Sequence, residues 1–275
     1  AEYKYDNIYD HVASEDSKTN FSDIFRTTGK GWKQPGSTEA ILRAPYIGAN
    51  GSNWNFTKNW GIKINEIVQH DALIHQPTAN YVNYYGMANG LPLDDPESGF
   101  DPTHPFKGRD PRFYHDIIFD GFQYINTTIG KDDPDYQFKY VQMYTGSNLR
   151  SSSSQGCRTG YYCQKLVPHQ ANEYDVMYNW GGALQCDLPY MRLADIYLMY
   201  AEAGAAVQGA NYKSNKCNLT AVDAINVLRD RVEAGHVADK YAANQQKFMD
   251  EVRRERAVEL AFEGFRWNDL QRWLL

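Results

Sequence analysis

The chain has 275 residues, and 34 acidic against 28 basic side chains leave a formal charge of −6. Charged residues at 23% and hydrophobic residues at 42% are ordinary globular values, which excludes disorder over the whole length. The acidic balance argues against a nucleic-acid groove, which needs a basic stripe, and no run approaches the roughly 18 apolar residues of a membrane helix. Tyr 21, Phe 12 and Trp 6 exceed what a core of this size needs. Many rings are therefore expected near a surface, where Tyr and Trp serve recognition.

In chain order, residues 1–20 show little periodicity and predict an irregular lead-in or a helix end. From Phe21 to Asn65 the sequence is Gly-rich with short apolar runs such as Ala40-Ile41-Leu42, so loop with brief strands is expected. Asn89-Gly90 is a turn signal. Five of the eleven prolines fall between 91 and 112, which predicts mostly extended chain there. Phe113–Phe119, Tyr136–Tyr144 and Tyr161–Val167 read as strands.

After Pro189 the pattern becomes helical. Leu193, Ile196, Tyr197, Tyr200 and Ala201 recur at helical spacing over about 190–207, with Gly209 as the left-handed stop. Thr220 and Asp223 make a capping box for a helix running to Gly235. A third helix is expected over 245–263, ended by Gly264, and a short fourth over 266–274. The division is thus a loop- and strand-rich part, 1–189, and a helical part, 190–275. The class is mainly α, with long loops, a few short strands and a tetratricopeptide-like helical hairpin near the C-terminus.

Several chemistries lack their motifs. Cys157 and Cys163 are too widely spaced for a CxxC pair, and no His lies at ligand spacing, so no metal site is expected. With Cys186 and Cys217 the count permits one or two disulfides, whose pairing stays open. The seven His show no HExxH or triad context, and no nucleophile elbow, phosphate loop or Rossmann fingerprint is present, so no cofactor is expected. Asp94/Asp95, Asp110 and Asp132/Asp133 could supply a glycosidase pair, but each sits beside Pro, where Asp commonly starts a turn. Asp110 is expected to cap a turn, with Arg109 and Arg112 pairing with nearby carboxylates. Glu255, Glu259 and Glu263 recur every four residues on one helical face. They predict an ion-pair network with Arg256, Arg266 and Arg272 that locks the last two helices together.

Three segments carry a resemblance to one family. They are Tyr84-Tyr85-Gly86-Met87-Ala88-Asn89-Gly90-Leu91-Pro92 with the following Phe106–Tyr114, then Arg192–Ala203 with Ala224–Arg231, and last Glu255–Trp273. In order and spacing the chain resembles the C-terminal half of SusD/RagB proteins, outer-membrane nutrient-binding lipoproteins of Bacteroidetes. The resemblance implies a non-enzymatic protein on the extracellular face of the outer membrane. Such a protein captures oligosaccharides, or peptides in some members, and acts as the lid of a SusC-type TonB-dependent transporter. The family's N-terminal half, with its lipidated Cys and further tetratricopeptide-like helices, is not recognisable here. The start at Ala1 has neither a charged nor an apolar leader, and the ending at Leu275 is abrupt, so the sequence reads as a trimmed piece.

The segment Thr38–Leu42 is similar to the stretch that precedes the family's variable ligand loop. The Gly-rich segment 44–62 that follows holds Tyr46, Asn53, Trp54, Asn55, Phe56, Asn59 and Trp60. A flat ring covers the apolar C–H face of a sugar while amides address its hydroxyls, so Trp54, Trp60, Tyr46, Asn53 and Asn55 are the candidate ligand residues. Trp32 in Gly29-Lys30-Gly31-Trp32 is a further one.

Overall fold

The computed structural model describes residues 39–46, 75–151, 156–166, 172, 174–175 and 186–275. Strand β1 (Ala40–Tyr46) pairs antiparallel with β4 (Cys186–Arg192), Ala40 opposite Arg192 and Tyr46 opposite Cys186. A two-stranded ribbon consists only of edges, which is why Pro45 and Pro189 are tolerated within it. The register shifts on either side of Leu42. The helix expected from residue 190 therefore starts later. Arg192 is still extended, with φ −140° and ψ 164°, and α4 occupies Leu193–Val207.

Between these strands the local capping chemistry overrides the aromatic runs. Asp110 accepts a hydrogen bond from the Arg112 N–H at 2.9 Å, and Pro111 sits in the first turn, so Pro111–Asp116 forms helix α2 instead of a strand. Only Ile117–Ile118 (β2) extends, pairing with Tyr162–Cys163 (β3). The strand expected over 136–144 is likewise replaced at its start by a 3₁₀ turn, Pro134–Phe138, capped by Asp133. The proline-rich stretch 91–112 is a chain of tight turns and not extended. Ser98 N–H bonds to Asp95 O, His104 to Asp101 and Lys107 to His104, so Pro96, Pro102 and Pro105 each take the second turn position.

The C-terminal helices follow their sequence signals closely. Gly209, at φ 90°, ends the turn after α4. Both halves of the Thr220–Asp223 capping box are formed at the start of α5 (Ala221–Asp230). Gly204 lets α4 and α5 close, since a Cβ there would meet Tyr212 Cδ1 at 2.7 Å and Ala221 Cβ at 2.9 Å. Helix α7 (Gln245–Glu259) ends four residues before its expected limit, because Phe262 (φ 63°) and Gly264 (φ 90°) turn the chain. Helix α8 spans Arg266–Trp273, and the short helices α1 (Ala79–Val82), α3 (Asn148–Ser151) and α6 (Asp239–Ala242) complete the order among the described residues.

Helix α4 packs against both α5 and α7 around Ala201, Ala205, Ala224, Ile225, Phe248 and Val252. A second cluster joins distant parts of the sequence, bringing Val82, Tyr85, Phe113 and Ile117 onto Val258 and Ala261 of the C-terminal region. Part of the aromatic surplus is consumed here: Phe113 stacks on Phe119 at 4.9 Å, and Phe106 lies 4.7 Å from Phe119. Cys157, Cys163 and Cys217 are free thiols. Among the described residues, no helix is long and apolar enough to cross a membrane. Nor does any group of three or more His, Cys, Asp or Glu there form a metal site.

Candidate functional site

Of the candidate ligand residues, Tyr46 is placed at the end of β1, opposite Cys186. Trp32, Asn53, Trp54, Asn55 and Trp60 lie outside the described residues. What the structure defines is the root from which the aromatic segment departs, and how firmly that root is held.

The root is tied down by buried charge. Glu39, immediately before β1, is fully buried and accepts from Arg192 Nη1 and Arg231 Nη1, both at 2.7 Å. Arg192, at the end of β4, also reaches Glu259 Oε1 at 2.6 Å, the Glu259 carbonyl at 2.6 Å and both oxygens of Glu263 at 2.8 Å. Arg231 donates a second bond to Glu259 Oε1. On the far side, Arg112 of α2 bonds Glu255 Oε1 at 2.5 Å, Glu259 Oε2 at 3.0 Å and both oxygens of Asp110. Arg229 closes onto Glu255 at 2.8 Å and Glu251 at 3.0 Å, Arg254 onto Glu251, and Lys165 onto Glu263 at 2.8 Å.

Among the described residues, Asp110, Glu39, Glu251, Glu255, Glu259 and Glu263 thus face Arg112, Arg192, Arg229, Arg231, Arg254 and Lys165, six acids against six bases. Burial by itself disfavours the Glu259 carboxylate, but Arg231, Arg192, Arg112 and Lys165 outweigh it and hold the carboxyl well below its usual range. Burial likewise opposes the charges of Arg112 and Arg192, and their carboxylate partners raise both well above normal.

The network that the Glu repeat predicted is present, with different partners. Arg256 instead pairs with Asp195 at 2.5 Å and Asp269 at 2.8 Å. Arg272 pairs with Glu202 and Asp269, and Arg266 lies on Tyr84. Glu263 joins from the turn after α7, not from its face. Among the described residues Arg109 pairs with no carboxylate either; it donates to the carbonyls of Val82, Tyr85, Gly86 and Pro105. Glu39, Arg192 and Lys165 carry no local sequence signal of such a role, because their partners lie 67 to 192 residues away.

Beside the network, Asp116 is fully buried and accepts from the Tyr85 hydroxyl at 2.7 Å through Oδ2. Its Oδ1 has no hydrogen-bond partner among the described residues. Burial pushes this carboxyl up from its ordinary 3.8 to about 6, against the pull of Lys165 and the Tyr85 hydrogen bond. The folded state therefore holds the proton more tightly than the unfolded chain. Ionising Asp116 costs stability progressively from pH 4 to above 6. Asp116→Asn should stabilise the protein at pH 8 by up to about 3 kcal/mol, with the gain fading as pH falls to 4. Denaturant unfolding at pH 8, 6 and 4 checks this, and an unchanged midpoint at pH 8 contradicts it.

A helical hairpin backed by α7, a short strand ribbon and a buried carboxylate–arginine lattice define a helical scaffold that carries long loops. The SusD family profile matches residues 38–275, and the chain belongs to the SusD family. Among solved structures it is similar to a SusD-like protein from Bacteroides fragilis, with 23% identity and a TM-score of 0.64. That match covers 94% of this chain and 46% of the other. A SusD-like carbohydrate binding protein from the same organism matches at 22% identity and a TM-score of 0.58, covering 93% of this chain and 48% of that one. A SusD superfamily protein from Bacteroides vulgatus gives 16% and 0.58, over 99% and 46%. The chain spans under half the length of these proteins. No curated protein matches the sequence.

Proposed function

We propose that this chain is the ligand-capturing part of a cell-surface glycan-binding subunit, which hands oligosaccharides to a SusC-type TonB-dependent transporter and acts as its lid. Membership of the SusD family over residues 38–275 carries the reading. The similarity to a SusD-like carbohydrate binding protein from Bacteroides fragilis agrees with it. In this reading the loop- and strand-rich part, 1–189, presents the ligand surface at the outside of the outer membrane, and the helical part, 190–275, supports it. Trp54 and Trp60 offer stacking platforms, with Tyr46, Asn53, Asn55 and Trp32 around them. The protein binds without breaking bonds: among the described residues, the acids of the buried lattice are committed to arginine and lysine, which leaves them unsuited to the paired acid and base of a glycosidase.

Calorimetric titration with a panel of neutral oligosaccharides and a panel of oligopeptides tests the reading. Saturable oligosaccharide binding, with no new reducing ends after incubation, is expected. Binding confined to peptides, or shortened sugar products, would overturn it.

A further inference from the structure

A cleft of about 420 Å³ lies between residues 76–78 with Tyr81 on one side and Phe262, Gly264, Arg266 and Trp267 on the other. Its size falls within the range of small-molecule sites, about 300–1,000 Å³. Trp267 lines it with an indole that is 70% exposed. Facing walls come from Pro77 and from Phe262, whose ring leans on Tyr81 at 5.4 Å. No side chain crowds the Gly264 position, since a Cβ there would meet nothing within 4 Å.

Arg266 is the unusual member. Residues 250–275 hold five arginines, and Arg253, Arg254, Arg256 and Arg272 each pair with a carboxylate. Arg266 has no carboxylate among the described residues. Its Nη2 donates to the Tyr84 hydroxyl at 2.7 Å, and the guanidinium lies over the Tyr84 ring at 4.7 Å. The cation is thus positioned without being neutralised, and it retains N–H groups for an incoming anion. Gln76 accepts the Arg158 N–H at 2.8 Å through Oε1, which leaves its amide nitrogen available to a hydroxyl.

A flat exposed indole suits the C–H face of a pyranose, and a free guanidinium suits a carboxylate or sulfate through charge-assisted bonds. We propose that this cleft binds an acidic sugar, a uronic or sulfated pyranose, with its ring on Trp267 and its acid group on Arg266. The proposal rests on the glycan-capture reading and narrows its ligand class, using residues outside the 44–62 segment.

The test is calorimetry on the full chain with galactotriose, 6-sulfated galactotriose and trigalacturonate, for the wild type and for Arg266→Gln, Arg266→Lys and Trp267→Ala. One acidic trisaccharide should bind about tenfold tighter than the neutral one, as one charge-assisted contact allows. Which acid it is distinguishes carboxylate from sulfate. The preference should vanish in Arg266→Gln and persist in Arg266→Lys. Trp267→Ala, at an exposed ring that does not threaten the fold, should weaken the favoured acid by a similar factor. Equal affinity for all three sugars, no binding of any, a preference that survives Arg266→Gln, or an undiminished affinity for the favoured acid in Trp267→Ala overturns this site. The glycan-capture reading itself stands or falls separately, on the neutral panel.

Discussion

Glu259→Gln is expected to cost the fold about 3–5 kcal/mol, the range for breaking one partner of a buried ion pair. That is a large share of the roughly 5–15 kcal/mol that keeps a domain folded. The reason is geometric. One Glu259 oxygen serves both Arg192 and Arg231, and the other serves Arg112 at 3.0 Å, all three arginine side chains being 4% exposed or less. An amide would present an N–H₂ to at least one guanidinium and leave the surplus positive charge in a buried site. The attraction holding Glu259 is itself offset by desolvation, so the loss measures the uncompensated arginines, not the worth of the intact pair. Denaturant unfolding checks the value. Arg272→Gln is the contrast: its pair with Glu202 leaves the arginine side chain 42% exposed, so the change should stay within about 1 kcal/mol. Similar losses for the two variants would contradict the lattice account. Because Arg192 and Arg231 also hold Glu39, Glu259→Gln should speed hydrogen exchange along β1, at the root of the aromatic segment.

The second large effect concerns binding. Trp54→Ala with Trp60→Ala should weaken oligosaccharide affinity by more than about 100-fold, since each lost ring removes about 2 kcal/mol of apolar burial and 1.4 kcal/mol is a factor of ten. The thermal melting curve should be unchanged if both rings serve the ligand. A double variant that binds undiminished would remove these residues from the site. One that loses binding and stability together would assign the rings to packing.

The helices were largely legible because their signals are local. The capping box at Thr220, the stops at Gly209 and Gly264 and the apolar spacing of α4, α5 and α7 each act within a few residues. Errors arose where a local signal competed with another or with a distant strand. Phe113–Phe119 has the composition of a strand, yet the Asp110 cap and Pro111 nucleate a helix across its first half. Residues 190–192 fit helical spacing but are drawn into extension by β1, more than 140 residues earlier. The ion-pair lattice was half legible. The Glu repeat announced it, but side chains with nearby numbers were expected as partners, and the fold supplied Arg112, Arg192 and Arg229 instead. Candidate ligand residues are legible only as composition, because rings in a Gly-rich segment take their meaning from a ligand and not from periodicity. Arg266 shows the converse. Its sequence neighbourhood suggests one more ion pair, and only the structure reveals that it meets no acid among the described residues.

The central claim is that this chain captures oligosaccharides and releases them unaltered. Mass spectrometry of a mixed oligosaccharide and oligopeptide pool, before capture on the immobilised protein and after elution, tests it most directly. The account predicts that intact oligosaccharides are enriched and that Trp54→Ala with Trp60→Ala abolishes the enrichment. Enrichment of peptides alone, or recovery of shortened sugars, would contradict it.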